Sequence, residues 1–227
     1  MLILYLHPLA SFCHKVLIAL YENDTPFEGR VVNLADPEAS AGLFERWPVG
    51  KIPVLEDTAN GRVVAETSII IEYLHQMYPG PSPLIPKDAD AVLEVRLWDR
   101  FFDLYVSVPM QKIVLDRLRP EGKSDPFGVK EARETLRTAY DMAEHQLAGR
   151  QWAAGEAFSM ADCAALPALF FAVTLEPYGR SHRNLASYFE RLLERASVAR
   201  TIDEAGPYFQ YYPYRETLSE RFYLPQG

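Results

Sequence analysis

The sequence predicts a small α/β unit followed by an all-helical unit. Three observations predict this class. An apolar run at residues 2–6 leads into an amphipathic stretch, the strand–helix opening of a layered sheet. Two further short runs flank Asn60-Gly61, a strong hairpin signal. From residue 87 onward apolar residues recur at helical spacing and strand signals stop. Between the halves, PGPSPLIP at 79–86 holds four prolines, which no helix or central strand accommodates. It reads as a stiff linker, dividing the chain into 1–79, 80–86 and 87–227.

Each element has its own signal. Residues 2–6 read as a buried strand. Lys15 to Glu22 carries an apolar stripe at Val16, Ala19 and Leu20, as an amphipathic helix does. Phe27 to Leu34 reads as a second strand, and 37–47 as a short helix. Pro53 to Glu56 and Arg62 to Ala65 form a hairpin with a type I′ turn at Asn60-Gly61. Thr67 or Ser68 caps the next helix, which stops at Pro79-Gly80. The order β-α-β-α-β-β-α implies one parallel and one antiparallel pairing in a small mixed sheet. Beyond the linker, 87–118 read as one long helix kinked or broken near Pro109. Helices follow at 128–148, Ser159 to Val173 and about 184–205. The aromatic segment from Pro207 to Gly227 reads as a tail packed on the surface.

Composition narrows the function. With 227 residues and 48% hydrophobic content the chain builds a sizeable core, and its net charge of −8 argues against general nucleic-acid binding. The longest apolar run, Ala164 to Val173, is about ten residues and contains Pro167, too short to span a bilayer. The start lacks a basic n-region, and His7-Pro8 interrupts it too early for a signal peptide. Cys13 and Cys163 form neither a C-x-x-C nor a metal-ligand spacing, so no metal is expected. A reduced, cytoplasmic protein is the simplest expectation.

Four constellations carry candidate chemistry. Ser11 and Cys13 fall where the first helix begins, and a helix start favours anions through unpaired N–H groups and the macrodipole. Ser11 is either a helix cap or a donor to a thiolate; Cys13 is either a small core residue or a thiol activated by the dipole and by His14 or Lys15. Tyr5, inside the strand, reads as core. Gly50-Lys51-Ile52-Pro53-Val54 opens a strand with proline. If the bond before Pro53 is cis, the Ile52 backbone faces outward to pair with an extended peptide, and Lys51 could meet a carboxylate. Glu66-Thr67-Ser68 stands at a strand-to-helix junction, where Thr67 offers a carboxylate site and Glu66 a partner for an amino group. Together these suit a short zwitterionic peptide carrying a thiol. Phe158 to Cys163 forms a capping box, Ser159 with Asp162, flanked by a hydrophobic staple. It is a stability motif.

LHPLASFCHKVLIAL, GKIPVLED, VVAETSIIIEYL, the proline-rich linker and GEAFSMADCAAL together resemble the cytosolic glutathione S-transferases, along essentially the whole chain. The resemblance is to serine- or cysteine-type members, since Tyr5 comes too early for a tyrosine-type mechanism. It implies a thioredoxin-like N-terminal domain, an all-α C-terminal domain and a homodimer. It also implies a cis Pro53, with Ile52 holding the cysteinyl backbone of glutathione, Glu66 and Thr67 its γ-glutamyl end and Lys51 its glycyl carboxylate. The catalytic slot is the departure. Counted back from Val16 without gaps it holds Ala10, with Ser11 one later and Cys13 three later. Ser11 is the first choice and Cys13 the second. The implied reaction is conjugation of the glutathione thiolate, as cosubstrate, to a small hydrophobic electrophile. That electrophile would be held by the first long helix, with Tyr105, Pro109 and Met110 as its lining. Two alternatives stand beside it: a thiol transferase or disulfide reductase using Cys13, and a non-catalytic binding protein on the same fold.

Overall fold

Every residue of β1 (Leu2–Leu6) is buried, because both faces of this strand are covered. The computed structural model describes residues 1–34 and 36–222. Leu2, Leu4 and Leu6 join a core with α1 (Ser11–Glu22) and α3 (Thr67–Met77). Ile3 and Tyr5 join a smaller core on the opposite face, with Leu43 of α2 (Pro37–Arg46). Period-two alternation thus serves two apolar layers, and β1 reads as a continuous hydrophobic run. The strand order is β2-β1-β3-β4, with β2 (Glu28–Val31), β3 (Val54–Asp57) and β4 (Arg62–Ala65). β1 pairs parallel with β2 and antiparallel with β3, as the β-α-β start and the hairpin require.

The second half is helical: α4 (Ala89–Phe101), α5 (Val108–Arg117), α6 (Pro126–Gln146), α7 (Met160–Leu175), α8 (Arg183–Leu193) and α9 (Ala196–Ala205). α7 is apolar all round and forms the axis of the helical core. α1 packs against it, so the residues from Cys13 to Leu20 are buried without interruption. The expected α/β sheet followed by an all-α bundle is therefore the fold. The expected capping box is present: Ser159 N–H and Oγ reach Asp162 Oδ2 at 2.8 and 3.0 Å. Asp162 also accepts from Ala153 N–H and Tyr188 O–H, so this buried carboxylate ties α7 to the loop before it and to α8.

Several local expectations differ. The second strand is confined to 28–31 and fully exposed, because it is an edge. The β3–β4 loop has four residues, not two, since Asp57 pairs with Arg62. Only Gly61 there has positive φ (61°), so no type I′ turn forms. Asp57 sets the loop length: its Oδ1 accepts the N–H groups of Ala59 and Asn60. Ala10, not Ser11, is the N-cap of α1, and Glu66, not Thr67 or Ser68, that of α3. The long helix expected at 87–118 breaks through a six-residue π-helical segment, 102–107, and Pro109 stands in the first turn of α5. Proline has no N–H to donate and crowds the preceding turn, so it is accommodated at a fresh helix start. The C-terminal segment is more than a surface tail. Phe209 lies against Phe170 at 5.7 Å, and Phe209, Tyr212 and Leu218 are buried. Residues 223–227 of that expectation lie outside the described residues.

Candidate functional site

The site is built around the loop joining β1 to α1. His7 C=O accepts Ala10 N–H at 2.9 Å, and His7 Nδ1 accepts Leu9 N–H at 3.2 Å. His14, one turn into the helix, donates from Nε2 to Pro8 C=O at 2.6 Å. The loop is thereby pinned from both ends. Ala10 C=O takes the first helical bonds, from Cys13 and His14 N–H. The N–H groups of Ser11 and Phe12 precede the first intrahelical donor, as at any helix start.

Two cavities meet there. The larger, about 630 Å³, is lined by Ser11, His7 and an aliphatic face of α5 (Met110, Val114, Leu115), with Tyr211 and Tyr212 across from it. The smaller, about 220 Å³, is lined by Ile52, Pro53, Glu66 and Thr67, with Arg100 and Asp103 from the helical half. Phe12, Lys51, Ile52 and Gln111 line both. Ser11, Lys51, Ile52, Pro53, Glu66 and Thr67 are therefore all placed on this joint cleft.

Local backbone explains how. The Ile52–Pro53 peptide is cis. Ile52 stands before β3 begins, and its N–H and C=O make no hydrogen bond to the described residues. Glu66 is left-handed at φ 67°, which costs a non-glycine residue about 1 kcal/mol. Such conformations gather at functional sites. Its side chain is exposed at the start of α3, while Thr67 is buried beside it. Ser11 is 5% exposed and opens α1; its hydroxyl makes no hydrogen bond to the described residues.

Cys13 lies elsewhere. It is fully buried among Leu2, Leu4, Val16 and Leu17 and lines neither cavity. Burial pushes its thiol up to about 12, where no thiolate forms near neutral pH. This corrects the expectation of a catalytic Cys13. The two residues expected to activate it do other work. Burial holds His14 down at about 4. Lys15 has its Nζ 2.6 Å from Asp99 Oδ1, 2.8 Å from Asp103 Oδ2 and 3.0 Å from Ser68 Oγ. Arg100 adds a second cation, bonded to Asp99, Asp103 and Ser68. Burial nevertheless raises the Asp103 pKa. The cluster joins α1, α3 and α4 directly behind the smaller cavity.

Of the three residues expected to hold an electrophile, only Met110 lines the larger cavity. Tyr105 is 53% exposed and packs 5.7 Å from Phe101, and Pro109 is buried away from the cleft. The π-helical segment is the physical reason. Its hydrogen bonds span five residues instead of four, so the helix face changes phase across it. Val114 and Leu118 were legible from their spacing of four beyond Met110. Among the described residues no group of three or more His, Cys, Asp or Glu is arranged to hold a metal, and no helix is long and apolar enough to cross a membrane.

Comparison with known proteins bears on what this cleft is. Residues 10–77 match the glutathione S-transferase N-terminal domain family and 110–196 its C-terminal domain family. The sequence is 30% identical over 202 residues to "Glutathione S-transferase U24" of Arabidopsis thaliana, spanning 86% of this chain and 87% of that one. The chain belongs to the glutathione S-transferase family. It is also 30% identical over 192 residues to a "Probable maleylacetoacetate isomerase" of Caenorhabditis elegans, spanning 80% and 85% of the two chains. A glutathione S-transferase from Methylobacillus flagellatus KT, solved with GSH bound, superposes with a TM-score of 0.81 at 28% identity. That match covers 88% of this chain and 98% of the other.

Proposed function

We propose that the protein is a glutathione transferase that conjugates the glutathione thiolate to a small hydrophobic electrophile. One observation carries the reading: a cavity with charged and hydrogen-bonding ends opens into an apolar one, and the start of α1 stands at the junction. The family relatives support the coarse activity.

In this reading residues 1–79 are the glutathione-binding domain, 80–86 the linker and 87–227 the helical domain. Glu66 takes the γ-glutamyl ammonium, and the start of α3 with Thr67 its carboxylate. Ile52 pairs with the cysteinyl backbone and Lys51 with the glycyl carboxylate. The sulfur then reaches Ser11. Its O–H and the first N–H groups of α1 favour the thiolate, whose proton leaves to solvent. The thiolate attacks the electrophile in the larger cavity, whose volume is typical of small-molecule sites. No covalent bond to the enzyme forms. Glutathione serves as cosubstrate, and a reduced cytoplasm, where both free cysteines persist, would supply it. Apolar side chains exposed on α3 and α4 (Ile69, Met77, Leu93, Leu97) support a homodimer.

Calorimetry with glutathione, alongside conjugation assays on wild type and Thr67→Val, tests the reading. Binding in the micromolar to low-millimolar range, weakened about tenfold or more by Thr67→Val, is expected. No binding at ten millimolar, with no conjugation of any electrophile, would overturn it.

A further inference from the structure

His7 is a polar side chain of the larger cavity that the conjugation scheme above leaves idle. Its ring is held in one state. Nδ1 accepts Leu9 N–H at 3.2 Å, so that nitrogen carries a lone pair and not a proton. The neutral ring must then bear its hydrogen on Nε2. Nothing among the described residues accepts from Nε2, and the ring is fixed by an edge contact with Tyr208 at 5.6 Å. The backbone is fixed as well, through Ala10 N–H on His7 C=O. Burial lowers the pKa of His7, which favours the neutral ring. A neutral imidazole so held is a donor, not a base.

The rest of the cavity decides what such a donor is for. Leu9, Met110, Val114 and Leu115 offer no hydrogen bond, Tyr212 O–H is engaged with Thr174 Oγ1 at 2.8 Å and Tyr211 is 69% exposed, while Lys51 and Gln111 stand at the mouth shared with the tripeptide site. Ser11, which faces the sulfur in the reading above, lines the same space. We propose that His7 is a catalytic residue that donates from Nε2–H to the carbonyl oxygen of an α,β-unsaturated carbonyl substrate, making enones and enals the preferred electrophile class of this site. The inference rests on the transferase reading and deepens it.

The chemistry balances without any further reactant. The thiol proton goes to solvent. The thiolate sulfur bonds to the β-carbon, and the C=C pair shifts to make an enolate. Negative charge then grows on the oxygen that faces His7, so the bond is stronger in the transition state than in the ground state. Water returns a proton to the α-carbon, giving the saturated thioether ketone. His7 keeps its proton throughout.

The test compares two electrophiles in wild type, His7→Asn and His7→Gln. One electrophile is 4-phenylbut-3-en-2-one; the other is benzyl chloride, in which charge departs on chloride. Asn can keep the acceptor for Leu9 N–H but lacks an atom at Nε2, and the Gln amide nitrogen reaches near Nε2. The expected result is a loss of about 10- to 100-fold in kcat/KM for the enone in His7→Asn, partly restored in His7→Gln. Benzyl chloride should change by less than about threefold, and glutathione affinity by calorimetry should not move. Equal losses on both electrophiles, or none, would overturn the role of His7 and leave the transferase reading standing. Nitrogen-15 NMR of the histidine side chains gives a readout free of activity: a neutral His7 protonated at Nδ1 overturns the proposal. If wild type conjugates neither electrophile and binds no glutathione, the transferase reading falls and this role falls with it.

Discussion

Lys15 on α1 holds its ammonium 2.6 Å from the carboxylate of Asp99 on α4, and both side chains are buried. Asp103 completes the triad at 2.8 Å. A lysine without exposure is costly unless paired, and its charged partners come from the other half of the chain. The ion cluster therefore joins the two halves at the level of the smaller cavity.

Lys15→Met should destabilise the protein by about 3–5 kcal/mol, because two buried carboxylates lose a compensating cation. Equilibrium urea unfolding measures this. Arg100, half-exposed, should matter less: Arg100→Met is expected to cost under about 1 kcal/mol. Equal losses in the two variants would show that Lys15 owes nothing to its burial.

Ser11 and Cys13 differ in their surroundings, and the difference is measurable. Ser11→Ala should lower kcat/KM for conjugation about 10- to 100-fold, as expected for one hydrogen bond to a charged sulfur. Cys13→Ala should leave conjugation within about threefold and cost roughly 1–3 kcal/mol in stability through a small cavity. The native Cys13 thiol, raised to about 12, should resist a disulfide reagent at pH 8 until the protein unfolds. Rapid native labelling of Cys13 would contradict its burial.

Much of this organisation was legible in the sequence, and the failures have physical causes. The strand–helix order, the proline linker and the Ser159–Asp162 box are local patterns, and local patterns survive folding. The Asn60-Gly61 signal was real, but Asp57 draws in two loop N–H groups and lengthens the turn. Tyr105 and Pro109 were named from their place on the first long helix, whose phase the π-helical segment resets. The Lys15 cluster was hidden by distance along the chain, although its signature was present. Asp99 and Asp103 sit four apart within an apolar stripe, and Lys15 sits inside another. His7 was passed over because a loop histidine carries no periodicity; only its bond to Leu9 N–H defines it.

Gly50 is the one glycine of the cleft whose conformation matters. Its φ is +67°, and a Cβ there would meet Phe44 Cε1 at 2.3 Å. Gly50→Ala should therefore cost about 1–2 kcal/mol for the left-handed backbone alone. Displacing Phe44 adds to this and shifts the neighbouring Lys51. The expected functional consequence is a several-fold rise in KM for glutathione with kcat nearly unchanged, since the proposed reading gives Lys51 a uniform binding role. A fall in kcat at constant KM would place Gly50 in the chemical step instead.

His14 should make the fold acid-sensitive in a defined window. Burial lowers its pKa to about 4, against about 6.5 in an unfolded chain. The native state thus binds this proton more weakly than the unfolded state does. The stabilisation is fully present above about pH 6.5 and is lost as pH falls toward 4, with a ceiling of about 3 kcal/mol. Its surroundings compensate only in part: Nε2 donates to Pro8 C=O, which raises the pKa against the larger effect of burial, Nδ1 is buried without a partner among the described residues, and Phe171 lies 5.7 Å away. Burial also lowers the pKa of His7, which acts with the same sign, so the contribution of His14 is read as a difference. Asp57 does not interfere. Although burial opposes its ionisation, hydrogen bonds from Tyr78, Asn60 and Tyr73 hold its carboxyl below the usual range, so its stabilisation is lost only below about pH 4. Guanidinium unfolding at pH 7.5 and 4.5 should show wild type losing about 2–3 kcal/mol more than His14→Gln between the two. Parallel losses would mean that His14 takes up its proton in the folded protein, and that the loop from His7 to Ala10 can open to let it.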